Sequence, residues 1–122
     1  MLINLTNHPS ALWDAGQTAA ANKLYGTVRD LPFPDIDPES DEQHIAALAD
    51  DYLRQVLSLA ATGDVTVHLM GEMTFTVALL KRLQAHHIPC VASTTRRMVD
   101  ELPGGEKKVK FLFVKFRQYE SL

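Results

Sequence analysis

The strongest constraint on this 122-residue chain is an alternation. Short apolar runs rich in Val, Ile and Thr take turns with segments whose apolar residues recur every three or four positions. "LINL" (Leu2 to Leu5) reads as a strand, closed by Thr6-Asn7-His8-Pro9-Ser10, where Pro9 bars continuation and Ser10 is a good N-cap. Residues 11 to 25 read as a helix stopped by Gly26, and "TVRDLPF" as a short strand cut by Pro32 and Pro34. Asp37-Pro38 with Glu39, Asp41 and Glu42 resembles a helix start, with acids at the positive end of the dipole. Ile45, Leu48, Tyr52, Val56 and Leu59 then mark one face of a helix that ends near Gly63-Asp64. "VTVHLM" is a strand, residues 74 to 86 a helix, and "IPCVAST" another strand. "MVDEL", a turn at Pro103-Gly104-Gly105 and "KKVKFLFVKFRQY" form a β-hairpin.

Strand, helix, strand repeated in this way predicts an α/β domain: a Rossmann-like, mostly parallel sheet flanked by helices, with an antiparallel C-terminal hairpin. One domain spans residues 1 to 122. With 46% hydrophobic residues the chain can build a single core without disulfides or metal. The lone Cys90 lies in the apolar run "IPCVAS" and reads as a buried structural thiol. With no cysteine pair, neither an intramolecular disulfide nor a thiolate zinc cluster is expected, which fits a reducing cytoplasm. The start lacks the order of a signal peptide, and no stretch approaches the length of a membrane span.

Charge is unevenly spread. Net charge is −3, which argues against a general DNA or RNA binder. Residues 1 to 60 hold three basic and nine acidic side chains, whereas residues 61 to 122 hold nine basic and six acidic ones. A bound anion is therefore expected mainly against the C-terminal half.

In open α/β sheets, ligands sit outside the carboxyl ends of the parallel strands. Three segments fall there: Asn7, His8 and Ser10 after the first strand, Gly71 to Thr76 after the third, and Ser93-Thr94-Thr95-Arg96-Arg97 after the fourth. Gly71 lets backbone N–H groups approach a ligand, and Thr74 or Thr76 can offer hydroxyls at a helix start that favours anions. Glu72 would repel phosphate but can accept from a ribose hydroxyl or an amino group. A plain capping arrangement, with Thr74 as N-cap and Glu72 solvated, fits the same residues. "STTRR" supplies three hydroxyls and two guanidinium forks suited to phosphate; an arginine that snorkels or pairs with Asp100 or Glu101, with the threonines beginning the next strand, is the structural alternative. His8 is a candidate general acid or base, or a packing residue of the loop. His44, His68, His86 and His87 show no metal-ligand spacing with a third ligand, and no GxGxxG, P-loop or Ser-His-Asp pattern exists. No metal or cofactor is expected.

"LINLTNHPS", "DLPFPDIDP", "VHLMGEMTFT", "VASTTRR" and "FRQY" resemble a family of small proteins associated with type III CRISPR loci, related to the CARF-like ring nucleases. The resemblance runs over nearly the whole chain. It implies a homodimer that binds a cyclic oligoadenylate messenger, most often the four-membered ring, across a two-fold axis. It also implies metal-independent cleavage, in which a ribose 2′-hydroxyl attacks the adjacent phosphate and leaves a 2′,3′-cyclic phosphate. On this expectation His8, Glu72 and Arg96 are the catalytic candidates. Asn7, Ser10, Gly71, Thr74, Thr76, Ser93, Thr94, Thr95 and Arg97 are the ligand-binding ones. A sponge that holds the messenger without cutting it uses the same residue types. A β-pairing module built on the hairpin, or a mononucleotide binder, are the remaining alternatives.

Overall fold

The computed structural model describes residues 1–122. Five strands, β1 (Leu2–Thr6), β2 (Val28–Asp30), β3 (Thr66–Met70), β4 (Cys90–Glu101) and β5 (Lys107–Gln118), form one sheet in the order β2-β1-β3-β4-β5. The first four run parallel and β5 pairs antiparallel with β4. This is the α/β architecture expected, with the strand order reversing between β1 and β3.

Three helices join the parallel strands: α1 (Ala15–Tyr25), α2 (Glu42–Ala60) and α3 (Met73–Ala85). Side chains of one sheet face, Ile3, Leu5, Val67, Leu69 and Cys90, pack with Ile45, Ala49 and Val56 of α2 and Phe75, Leu79 and Leu83 of α3. The opposite face packs Leu2, Val91 and Phe116 against Trp13 and Ala21 of the α1 region. Every residue of β1 is buried, as a central strand covered on both faces requires. The α2 positions Ile45, Leu48, Tyr52, Val56 and Leu59 all turn inward, as their spacing predicts.

Two departures from the sequence reading bear on the site. The helix expected from residue 11 begins as a 3₁₀ turn (Ser10–Leu12) and becomes α-helical only at Ala15, capped by Asp14 rather than Ser10. Ser10 is committed elsewhere: its N–H and hydroxyl both donate to the Asp30 carboxylate, at 3.1 and 2.8 Å. The second departure is larger. "IPCVAST" and "MVDEL" are not two strands but one, so the sheet has five strands and not six. β4 pairs with β3 only through Cys90 and Val91, then runs on with β5 as a two-stranded arm. A bulge between Thr94 and Thr95 leaves Val114 as the extra residue and bends the ribbon. "STTRR" therefore lies inside a strand instead of in a loop at its end.

That change fixes where the arginines point. Side chains alternate along a strand, so Ser93, Thr95 and Arg97 share one face of β4, and Thr94 and Arg96 the other. The α1 face carries the first set, because it also carries Val91.

Candidate functional site

At the carboxyl ends of β1, β3 and β4, beside the point where strand order reverses, lies a cleft of about 620 Å³. Thr6, Asn7 and His8 from the end of β1, His68, Met70 and Gly71 from β3, and Ser93 and Thr95 from β4 line it. Asp14 and Gln17 close it from the α1 side, while Leu12, Phe111 and Phe113 supply apolar wall. Its size and mixed lining are those of a small-ligand site.

The floor is a buried polar network inside otherwise apolar strands. Asn4 Nδ2 donates to Asp30 Oδ1 at 2.7 Å and to the His8 carbonyl at 2.9 Å. This orients the Asn4 carbonyl oxygen the other way, where the Thr6 hydroxyl donates to it at 2.9 Å and His68 Nδ1 lies 3.0 Å from it. An amide oxygen only accepts, so Nδ1 of His68 carries the proton and Nε2 bears the lone pair. That Nε2 is buried and has no hydrogen-bond partner, although His68 is only 2% exposed. The ring is held edge-to-face between Trp13 and Phe116, with centroids 5.6 and 5.4 Å away. Burial, with the nearby His8 charge adding to it, pushes the His68 pKa down to about 4, so the imidazole is neutral at pH 7. Partial burial works to raise the Asp30 pKa, but hydrogen bonds from Asn4 and Ser10 outweigh it and hold the carboxyl below its usual range.

Two further groups shape the cleft wall. Asp14 Oδ1 accepts from the Gln17 N–H at 2.7 Å and Oδ2 from the Phe113 N–H at 3.2 Å, tying the start of α1 to β5. These N–H groups, Gln17 first, lower the Asp14 pKa. Gln17 itself is 7% exposed, and its side-chain amide forms no hydrogen bond within the protein while lining the cleft. On the opposite wall the Ser93 N–H and hydroxyl both lie 3.3 Å from Met70 Sδ.

The residues singled out in the sequence divide accordingly. Asn7, His8, Gly71, Ser93 and Thr95 line the cleft. Ser10 does not line it and is bound to Asp30. Arg97 shares the cleft face but sits out along the arm, opposite Phe111, and Arg96 projects from the other face opposite Leu112. Thr94 exchanges hydrogen bonds with the Lys115 backbone across the bulge.

"GEMTFT" resolves into packing and capping. Glu72, not Thr74, is the N-cap of α3: its carboxylate accepts from the N–H groups of Thr74 and Phe75 at 2.6 and 3.1 Å and from the Thr74 hydroxyl at 2.7 Å. The Thr74 hydroxyl above all, then the N–H groups, lower the Glu72 pKa. The positive end of α3 thus already holds a carboxylate of its own chain. Thr76 is buried on α3 with its hydroxyl unpartnered. Gly71 is required by packing, since a Cβ there would meet the Phe33 ring at 2.2 Å.

Cys90 is buried and its thiol is pushed up to about 12 by desolvation, an unreactive state. Sequence reasoning missed the floor. The sequence reading considers His68 only for metal ligation and assigns no site role to Asn4, Asp14, Gln17 or Asp30. The available signal was a polar residue in the middle of each apolar strand, Asn4 in "LINLT" and His68 in "TVHLM".

No helix is long and apolar enough to cross a membrane. No curated protein and no solved structure matches the chain. A family model does match, over residues 1–117, and by that match the chain belongs to the family described as "Uncharacterized protein MJ1673 family".

Proposed function

We propose that this protein binds a cyclic oligoadenylate, with cyclic tetra-adenylate the first candidate, in the cleft at the carboxyl ends of β1, β3 and β4, and lowers its level. The observation that carries the reading is His68 Nε2: a neutral acceptor, buried and unpartnered, in the floor of a cleft rimmed by the hydroxyls of Ser93 and Thr95. A buried polar atom without a partner costs free energy unless something pairs with it. The resemblance of "VHLMGEMTFT" and "VASTTRR" to the ring-nuclease group supports the choice of ligand.

In the catalytic form of the reading, the protein contributes positioning. A ribose 2′-hydroxyl is held in line with the neighbouring phosphorus; its proton leaves as the P–O bond forms, and the 5′-oxygen departs with a proton. His8, exposed at the rim, is the proton-transfer group. The backbone at Gly71 stabilises the charge that develops on phosphate, and Arg97, which lies outside the cleft along the arm, serves only a ligand long enough to extend that far. A second copy of the chain is the proposed partner: the hairpin exposes Val99, Val109 and Phe111 on the cleft side, and a lone two-stranded ribbon is marginal in water.

One observation favours sequestration without cleavage. With its pKa near 4, His68 is a good hydrogen-bond acceptor but a weak base. No Lys or Arg side chain lines the cleft either.

The test is incubation of the purified protein with cyclic tetra-adenylate in the presence of EDTA, followed by chromatography of free and bound nucleotide. Linear products ending in a 2′,3′-cyclic phosphate support the nuclease. Intact nucleotide retained by the protein supports the sponge. Neither product nor retention overturns the reading.

A further inference from the structure

Two side chains of the cleft are more than nine-tenths buried and leave hydrogen-bonding capacity unused. They are His68 and Gln17, at 2% and 7% exposure. Their chemistries are complementary to a particular kind of ligand edge. His68 Nε2 can only accept, because the Asn4 carbonyl fixes the proton on Nδ1. The Gln17 amide can both donate and accept. Its backbone is held in place by the 2.7 Å bond from its N–H to Asp14, so the side chain is presented from a fixed turn of α1.

A ligand that satisfies His68 must bring an N–H or O–H donor through the polar floor to Nε2, which solvent does not reach in the free protein. One that also satisfies Gln17, which lines the same cleft from the α1 side, must offer a further acceptor or donor. A heteroaromatic ring with an amino group next to a ring nitrogen does both. Phe111 and Phe113 on one wall and Leu12 on another suit a flat ring. A phosphate does not suit this part of the cleft: Asp14 on the wall is anionic, and the His68 lone pair repels oxygen acceptors.

We infer that the part of the cleft between Gln17 on the wall and His68 in the floor is a nucleobase subsite that reads an amino-substituted edge, adenine under the reading given above, through its exocyclic N–H and adjacent ring nitrogen. The choice of adenine rests on that reading; the requirement for a donor rests on His68. Asn4 and Asp30 are positioning residues for this subsite, since they fix the imidazole tautomer without touching the ligand.

The test follows the ¹⁵N resonance of the unprotonated His68 Nε2 during titration with adenosine 5′-monophosphate, purine riboside 5′-monophosphate (which lacks the amino group) and cyclic tetra-adenylate. Adenosine 5′-monophosphate or the ring is expected to move that resonance. Removing the amino group is expected to weaken mononucleotide binding about tenfold or more, because Nε2 is then left unpaired. Gln17→Leu is expected to reduce the preference between the two mononucleotides, with the fold checked by circular dichroism. The ligand comparison on the unaltered protein keeps the test valid if that variant is unstable. A His68 resonance unmoved by both adenine ligands, or equal binding with and without the amino group, overturns the subsite. Retention of the ring with His68 silent overturns it while leaving messenger binding intact. Mononucleotide engagement without ring binding supports the subsite and removes the messenger reading.

Discussion

Asn4 and His68, 64 positions apart in sequence, meet across neighbouring strands with Oδ1 and Nδ1 3.0 Å apart, and this contact decides which nitrogen of His68 carries the proton. It arises because β1 and β3 pair in register, Asn4 opposite His68, on the face that α1 only partly covers. The Asn4 amide is in turn oriented by Asp30, its register partner on β2.

Asn4→Ala removes the group that satisfies Asp30, Thr6, His68 Nδ1 and the His8 carbonyl together. We expect a loss of about 2–4 kcal/mol by chemical denaturation, larger than one neutral hydrogen bond, because several buried groups lose a partner at once. The ¹⁵N spectrum of His68 should also show a mixture of tautomers in place of one.

His68 makes stability fall with acid. Its folded pKa, about 4, lies below the ordinary value of 6.5, so the unfolded chain binds the extra proton first. The contribution is whole above pH 6.5, shrinks as pH falls from about 6.5 to about 4, and is constant below. The drop due to this group amounts to at most about 3 kcal/mol. His68→Phe should flatten the denaturation free energy across that window. An unchanged slope in the variant would show that other groups govern it.

Gly71→Ala places a Cβ 2.2 Å from the Phe33 ring. We expect destabilisation of about 1–3 kcal/mol from overpacking, read as a lowered unfolding midpoint. Phe33→Leu combined with Gly71→Ala should recover part of that loss, whereas a glycine needed for a bound ligand would show no such recovery.

Glu72→Ala removes the cap of α3 while the Thr74 and Phe75 N–H groups return to water. The expected cost is about 1 kcal/mol in thermal or chemical unfolding, with nucleotide retention unchanged. Loss of retention at unchanged stability would give Glu72 a role in the ligand site instead.

His87 follows α3 with φ of 58°, in the left-handed region. Its N–H donates to the Gln84 carbonyl and that of Ile88 to the Leu83 carbonyl, both at 3.0 Å, the paired bonds of a Schellman ending. His87→Gly relieves the Cβ penalty and should raise stability by about 1 kcal/mol.

The linear order of residues was enough for the elements and their class. The run "LINL" is too short for a helix, and "VTVHLM" is short and opens on three β-branched residues. The spacing of Ile45, Leu48, Tyr52, Val56 and Leu59 admits only a helix with one buried face. Alternation of the two then requires a parallel sheet, and Asn7, His8, Gly71, Ser93 and Thr95 fall at its carboxyl end by topology alone. What tertiary structure decided is pairing over distance. Whether "STTRR" turns or continues depends on β5 offering a register partner to each residue from Thr95 to Glu101, a long-range choice that no local pattern encodes. Whether Glu72 faces a ligand or its own helix depends on where α3 starts, and its N-cap lies two residues before Thr74, the cap the sequence offers. The Asp30–Asn4–His68 chain joins three strands that the sequence scatters over some 64 positions. Periodicity identifies which face a side chain occupies, but only the assembled sheet identifies which side chain stands opposite it.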